Sequence, residues 1–339
     1  MKKSLAAVSA LAVLLSGCLI PGYMRQQPPP PVRGELLVGV NTLSRTLNEP
    51  GTVVLHVGRD RQSYDAGHIP GARFVALSSL VTEREGVPNE LPPVAQLEEA
   101  FEAAGVSDDS RVVLYGDLDG LAAARAFFTL DYLGHPSVAL LNGGLETWRE
   151  AGNQVETAAP TVQRGSFTPR PRPEVLADAE WVRSHLNDST VLILDARPPA
   201  EFTGTEPGPG VTRPGHIPGA KNVFWRNTIV SDENPQLRSR DVLRALFKLA
   251  GATHPAEAVV ETREREREAR ERARLEGNRR RAATPVAPVT GSTVVTYCRT
   301  GVQASFLYFV ARYLGYQTKM YDASFADWSR RGNDFPVER

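Results

Sequence analysis

Thr293-Val294-Val295-Thr296-Tyr297-Cys298-Arg299-Thr300-Gly301-Val302-Gln303-Ala304-Ser305 is the stretch on which the reading of the chain turns. A β-branched run leads directly into a cysteine, then a glycine-containing loop, then an apolar segment from Phe306 to Leu314 at helical spacing. That order predicts strand, tight loop and helix, with Cys298 at the carboxyl end of the strand. Open α/β sheets bind their ligands at that end. Backbone N–H groups of such a loop, with the positive end of the next helix, favour a thiolate and cradle an anion beside it. Free cysteines are more commonly small buried apolar residues. The position on an elbow beside Arg299 favours the chemical reading here.

The plan around that stretch occurs twice. Gly67-His68-Ile69-Pro70-Gly71-Ala72 returns unchanged as Gly215-His216-Ile217-Pro218-Gly219-Ala220, and Val53–Val57 has its counterpart in Val191–Asp195. Leu130-Asp131-Tyr132-Leu133-Gly134 matches Ala311-Arg312-Tyr313-Leu314-Gly315. An ungapped slide from that match sets Gly120 opposite Gly301 and Asp117 opposite Cys298, so only the second half has a thiol at its elbow. Arg111–Tyr115 and Ser137–Leu141 read as further strands, and Leu121–Leu133 as a helix stopped by Gly134. Asn142-Gly143-Gly144 turns into a short helix carrying Trp148. Strands alternating with helices imply βαβ units and a parallel sheet. The expected bounds are 34–152 for the first domain, 153–173 for a linker marked by Pro160, Pro169, Pro171 and Pro173, and 174–339 for the second.

The 339 residues are 41% hydrophobic and 23% charged, which suits two globular domains with proper cores. Lys+Arg and Asp+Glu balance at 39 each, so no net charge draws the chain to nucleic acid. Residues 1–17 read as a leader: Lys2 and Lys3 precede an apolar Leu5–Leu15, too short to span a bilayer. Leu15-Ser16-Gly17-Cys18 resembles the lipobox of bacterial lipoproteins, implying cleavage before Cys18 and its acylation. Leu19 in place of an aspartate resembles lipoproteins passed on to the outer membrane, so the expected location is lipid-anchored there, facing the periplasm. Residues 18–33, with Pro28-Pro29-Pro30-Pro31, form an extended tether. If lipid takes Cys18, Cys298 is the only thiol of the mature chain, with no intramolecular disulfide partner in an oxidising compartment. A thiol kept there points to sulfur chemistry. One segment has no counterpart in the first half: Glu261–Arg281, with six Glu and nine Arg, inside an insertion of about 257–285. Pairs such as Glu261–Arg265, Glu266–Arg270 and Glu268–Arg272 predict an exposed helix.

Together these residues resemble the tandem-domain rhodaneses, a family of sulfurtransferases. The match lies in the two hexapeptides, Asp195-Ala196-Arg197, Tyr297-Cys298-Arg299-Thr300-Gly301-Val302, and the closing segments Asn142-Gly143-Gly144 with Trp148 and Tyr321-Asp322 with Trp328. It covers roughly Gly34 to the C-terminus apart from the charged insertion. The resemblance implies an α/β fold with two tandem domains, each a five-stranded parallel sheet flanked by helices, and a non-catalytic first domain. It implies a catalytic Cys298 that alternates between thiolate and persulfide, in an active loop running to Gln303. Arg197, Arg299, Thr300, Gly301, Val302 and Gln303 become the expected substrate-binding residues. Arginine directly after the cysteine resembles the thiosulfate-using branch, where mercaptopyruvate enzymes usually have glycine.

Chemistry supports that expectation. A free thiol has a pKa of roughly 8.5 and is mostly protonated at neutral pH, so loop N–H groups and Arg299 are expected to favour the thiolate. Guanidinium groups suit the oxygens of a sulfonate-like donor. The persulfide itself carries the sulfur, so no metal or organic cofactor is expected. The expected partners are a small-molecule sulfur donor, an acceptor such as cyanide or a thiol, and a membrane through the lipid anchor, with the chain a monomer. A non-enzymatic persulfide carrier, redox sensor or scaffold is the alternative. A cysteine phosphatase would need an arginine at Ala304. His68 and His216 read as structural, because the same residue stands in both halves, and Asp195 as an orienting group. Asp117 and Asp119 are too few ligands for a metal. The chain departs from the family pattern at Ala323, usually glycine, at Ala76, often aspartate, and at Gln303, commonly a hydroxyl residue.

Overall fold

The computed structural model describes residues 36–117, 119–275 and 291–339. The leader, Cys18, the tether, and the Arg279–Arg281 end of the charged run lie outside the described residues. The first half runs β1 (Leu37–Val38), α1 (Val40–Thr46), β2 (Thr52–Gly58), α2 (Gln62–Asp65) and β3 (Arg73–Ala76). A small hairpin follows, β4 (Thr82–Arg84) and β5 (Val87–Glu90), then α3 (Val94–Ala103), β6 (Arg111–Gly116), α4 (Leu121–Tyr132), β7 (Val138–Leu141) and α5 (Gly144–Glu150). The second half runs β8 (Leu176–Ala177), α6 (Ala179–Ser184), β9 (Val191–Asp195), α7 (Pro199–Thr203), β10 (Lys221–Asn222), α8 (Arg240–Leu249) and α9 (Pro255–Leu275). It closes with β11 (Thr293–Tyr297), α10 (Val302–Leu314), β12 (Gln317–Tyr321) and α11 (Ser324–Trp328).

Each half is a five-stranded sheet, in the orders β1-β7-β6-β2-β3 and β8-β12-β11-β9-β10. Every pairing within both sheets is parallel. Position by position the two orders are the same, as the repeated hexapeptides imply. Parallel sheets bury both faces, and the alternation along β2 shows how. Val53, Leu55 and Val57 face one hydrophobic cluster and Val54 the other. The outer faces are covered by α1 and α5 in the first half and by α6 and α11 in the second.

The inner faces meet. A single apolar cluster runs through both halves, with α4 and α10 at its centre. Both helices are apolar nearly all round, as a helix must be when it is covered on every side. Phe127 meets Phe309 edge-on at 4.9 Å between ring centres, and Phe128 meets Tyr308 at 5.1 Å. Asp131 of α4 accepts from Tyr308 Oη at 2.6 Å and from Arg312 Nε at 3.0 Å.

Two expectations are refined. The proline-marked stretch is fastened along the first half rather than standing free. Phe167 is buried there, and Arg164 pairs with Glu99 and Glu102, both at 2.6 Å. The charged insertion is helical as far as it is described, with Glu261–Arg265 at 2.5 Å and Glu266–Arg270 at 3.7 Å.

Candidate active site

Each central strand carries near its carboxyl end a buried tyrosine whose hydroxyl accepts a backbone N–H from the hexapeptide. Ile69 N donates to Tyr115 Oη at 3.1 Å, and Ile217 N to Tyr297 Oη at 3.2 Å. The hexapeptide histidines do the same work in both halves. His68 Nδ1 donates to Tyr64 O at 2.8 Å and stacks on Tyr64, while His216 Nδ1 donates to Phe202 O at 3.0 Å and stacks on Phe202. Each hexapeptide is therefore pinned between its sheet and a short helix, which fits the structural reading of both histidines.

Cys298 follows Tyr297 and is a free thiol, 2% exposed. Its N–H donates to Ser324 Oγ at 3.2 Å, and its sulfur accepts the N–H of Gly301 at 3.1 Å. Phe325 N and Ala326 N donate to the carbonyls of Cys298 and Arg299, both at 3.0 Å, strapping the loop to the start of α11. Gly301 caps α10 with φ +89°, and a Cβ there would lie 2.8 Å from Asp322 Oδ1. Only glycine fits that position. Thr300 Oγ1 accepts from Asn89 Nδ2 of the first half at 3.0 Å. Val302 and Gln303 sit half-buried on the first turn of α10. The loop thus gathers Cys298, Arg299, Thr300, Gly301, Val302 and Gln303 at one strand-to-helix elbow.

The two arginines are held differently from one another and from expectation. Arg197 is fully buried, with Nε 3.0 Å from both oxygens of Asp195 and Nη2 2.5 Å from Oδ2, and Nη2 also donates to Gly215 O at 2.8 Å. Among the described residues its Nη1 has no hydrogen-bond partner. Burial opposes the Arg197 charge, but Asp195 more than offsets this and holds the guanidinium ionised. Arg299 is half-exposed, and its Nη1 lies 3.2 Å from Oε1 of Glu201, whose buried Oε2 has no hydrogen-bond partner among the described residues. The loop N–H groups pull the thiol pKa down as expected, but burial outweighs them. Burial pushes the Cys298 thiol above its ordinary range. The N–H groups of Ala304, Thr300 and Gly301 oppose this, and the charge of Asp195 adds to it.

The internal comparison also needs a correction. Tyr115 and Tyr297 hold equivalent places, so Gly116, not Asp117, is the strand counterpart of Cys298, and the first-half loop is one residue longer before Gly120. A Cβ at Gly116 would lie 1.9 Å from Val57 O, leaving no room for any side chain there. Asp117 instead accepts from Ser63 Oγ at 2.7 Å and lies 3.1 Å from His56 Nε2, while exposed Asp119 pairs with Arg226 at 2.6 Å. A cavity of about 600 Å³ opens over this elbow, lined by His56, Asp117, Gly120 and Phe306 among others; Cys298 is not in its lining. Among the described residues no group of three or more His, Cys, Asp or Glu side chains is assembled to hold a metal.

At the closing turn Ala323 keeps φ −63°, and Ser324 takes the left-handed conformation at +57°. The matching Gly143 and Gly144 are both left-handed, so the turn is reshaped around the alanine. Ala76, half-buried at the end of β3, accepts from Ser79 Oγ at 2.7 Å. Sequence reasoning missed Asn89, Arg125, Glu201 and Asp322 as parts of the site. Asp322 left a trace in the closing segment Tyr321-Asp322, and Glu201 another, four residues beyond Arg197 at the start of a short helix.

Residues 40–151 and 178–331 each match the rhodanese-like domain. The chain belongs to the rhodanese family. This rhodanese is 30% identical over 306 residues to the sulfur carrier protein TtuD of Thermus thermophilus, a match covering 87% of the chain and 93% of the relative. It is 28% identical to the 3-mercaptopyruvate sulfurtransferase of Escherichia coli, and 28% to the thiosulfate sulfurtransferase of Pseudomonas aeruginosa. Each of these covers 89% of the chain and 97% of the relative. The crystal structure of the E. coli 3-mercaptopyruvate enzyme has the same fold, with a TM-score of 0.67 at 24% identity, over 85% of this chain and 98% of that one. The tandem rhodanese fold and its sulfurtransferase family follow from these matches and the two equivalent sheets. Relatives named for the two donors stand at equal identity.

Proposed function

We propose that this rhodanese moves sulfane sulfur from thiosulfate to a thiophilic acceptor, cyanide or a thiol, through a persulfide on Cys298. The observation that carries the reading is the sulfur of Cys298 receiving the Gly301 N–H where β11 passes into α10, in the second half alone. The Cys298 thiolate attacks the outer sulfur of thiosulfate. A sulfur–sulfur bond forms to Cys298, the donor's own sulfur–sulfur bond breaks, and sulfite leaves with the electron pair. The acceptor then attacks the outer sulfur of the persulfide and regenerates the thiolate; with cyanide the product is thiocyanate.

Residues of this chain supply anion stabilisation rather than proton transfer. The loop N–H groups hold the negative persulfide as they hold the thiolate. The unpartnered Nη1 of Arg197 and the guanidinium of Arg299, once it leaves Glu201, are the two cationic groups available to sulfonate oxygens. Arginine rather than glycine at 299 supports thiosulfate over mercaptopyruvate as donor. Ala304 is buried where a phosphatase would need its arginine, which argues against phosphate chemistry. The name of the T. thermophilus relative favours a second reading, in which the persulfide is passed to a protein partner as in a sulfur carrier. The Cys18 lipobox supports action in the periplasm from an outer-membrane anchor.

The test is intact-mass analysis of the purified protein before and after thiosulfate. A gain of one sulfur atom on Cys298, removed by cyanide with release of thiocyanate and absent in Cys298→Ser, is the expected result. Full cyanide-dependent turnover in Cys298→Ser overturns the proposal. An adduct that cyanide cannot remove favours the carrier reading. Labelling with a fatty-acid analogue that is lost in Cys18→Ala checks the anchor.

A further inference from the structure

We infer that Arg125, on the first half's central helix, is a positioning residue of the Cys298 loop and acts through Asp322. The inference rests on the reading of Cys298 as the sulfur-transferring group, but its test does not need a sulfur donor. Arg125 is fully buried and reaches across to the second half. Its Nη1 lies 2.5 Å from Asp322 Oδ1 and its Nη2 3.3 Å from Oδ2. Leu91 N, also of the first half, donates to Asp322 Oδ2 at 2.7 Å. Both oxygens of Asp322 are therefore engaged by the half that carries no thiol.

Asp322 in turn supports two of the polar contacts of Cys298, at its backbone N–H and at its sulfur. It stands two residues before Ser324, whose hydroxyl accepts the Cys298 N–H. Its carbonyl and Oδ1 lie against Gly301, at 2.9 and 2.8 Å from where a Cβ would be, with Arg125 Nη1 at 3.1 Å. Gly301 donates the N–H that reaches the sulfur. Fixing Asp322 fixes the two groups that hold Cys298, Ser324 at its backbone N–H and Gly301 at its sulfur.

The duplicated half shows the same exchange with different chemistry. Phe306 stands five residues after Gly301, as Arg125 stands five after Gly120, and its ring lies 3.4 Å from where a Gly120 Cβ would be. Asn142, the counterpart of Asp322, accepts from Leu237 N of the second half at 2.9 Å, as Asp322 accepts from Leu91 N. Each half thus sends a side chain of its central helix and a backbone N–H into the other's elbow. What sets the thiol elbow apart is burial: a fully buried Arg125 meets Asp322 there, whereas Arg226 meets Asp119 of the other elbow in the open. A buried carboxylate without its cation protonates or turns toward water, and the turn it anchors moves with it.

The experiment follows alkylation of Cys298 by iodoacetamide across pH in the wild-type protein, Arg125→Lys, and the double variant Arg125→Met/Asp322→Asn, with thermal unfolding of each. The other charged groups around the loop are Asp195, Arg197, Glu201, Arg299 and Glu90, all unchanged in these variants. The double variant removes both charges at once, leaving no orphaned ion. A residue that only cements the halves predicts recovery of both stability and thiol titration in it. A positioning residue predicts near-native unfolding with the alkylation midpoint raised by about one pH unit, hence about tenfold slower alkylation at neutral pH. Turnover, where measured, loses kcat with KM little changed. Arg125→Lys keeps the charge but not the two-pronged contact, and an intermediate displacement of the midpoint is expected. Should the double variant fail to fold, Arg125→Lys decides. Wild-type midpoints in every variant that folds overturn the inference. Displaced midpoints in a protein that accepts sulfur from no donor refute the sulfur-transfer reading and leave the positioning intact.

Discussion

Gly120→Ala and Gly301→Ala place the same methyl group at the same point of the two elbows, and their difference isolates what surrounds the thiol. Both glycines begin a central helix in the left-handed region, at φ +87° and +89°. An alanine at either position carries about 1–2 kcal/mol of backbone strain. At Gly120 the nearest atom to the new Cβ is Phe306 Cε2 at 3.4 Å, an ordinary contact, so nothing is added. At Gly301 the new Cβ meets Asp322 Oδ1 at 2.8 Å and Asp322 O at 2.9 Å, one a backbone oxygen that cannot rotate away. Overpacking of that kind adds about 1–3 kcal/mol. Gly301→Ala is therefore expected to destabilise by roughly 2–5 kcal/mol and Gly120→Ala by about 1–2 kcal/mol. Urea unfolding of both variants gives the difference, provided m is unchanged. Relief of the clash moves the Gly301 N–H off the sulfur, so Gly301→Ala also loses most sulfur-transfer activity while Gly120→Ala keeps it. Equal destabilisation of the two, with activity retained in Gly301→Ala, refutes the packing account of the loop.

Three further outcomes follow from the charges. Because burial raises the Cys298 thiol and the thiolate is the nucleophile, alkylation should still be climbing as pH passes about 8.5; a plateau already reached at neutral pH refutes the burial argument. Glu201→Gln removes the carboxylate that holds Arg299 at 3.2 Å, so KM for thiosulfate should fall several-fold; a raised KM in steady-state assays means that Glu201 instead holds Arg299 in its working place. Glu261→Ala breaks an exposed pair one helical turn apart and should cost no more than about 0.5 kcal/mol in urea unfolding.

The doubled sheet and the thiol elbow were legible because their causes are local. β-branched runs form the strands, glycines sit where φ is positive, and the repeated hexapeptide announces the second copy. The structure adds what depends on distance along the chain. Arg125 lies in an apolar helical run, and its carboxylate partner is 197 positions away. No periodicity in Leu121–Tyr132 points to it. Asn89 belongs to the β4–β5 hairpin, whose turn is Glu85-Gly86 at φ +52° and +74°. Such turns favour asparagine or aspartate before the glycine, so a glutamate there gives no signal. Arg299 is legible beside the cysteine, but its partner Glu201 lies 98 positions away and is brought to it by the folded α7. The ungapped slide misaligned the elbows because register is set by the tyrosines at the strand ends, while the match had been taken from the helices.

The exchange of side chains between α4 and α10 bears on how such a chain can change over generations. A duplicated domain without a nucleophile would ordinarily be free to drift or disappear. Here deletion would strand the Asp322 carboxylate and release Thr300, so selection on the thiol reaches a helix and a hairpin that carry no chemistry of their own. Freedom to diverge is left to the far elbow, around Asp117 and the cavity over it. The unit that is inherited is the pair of domains.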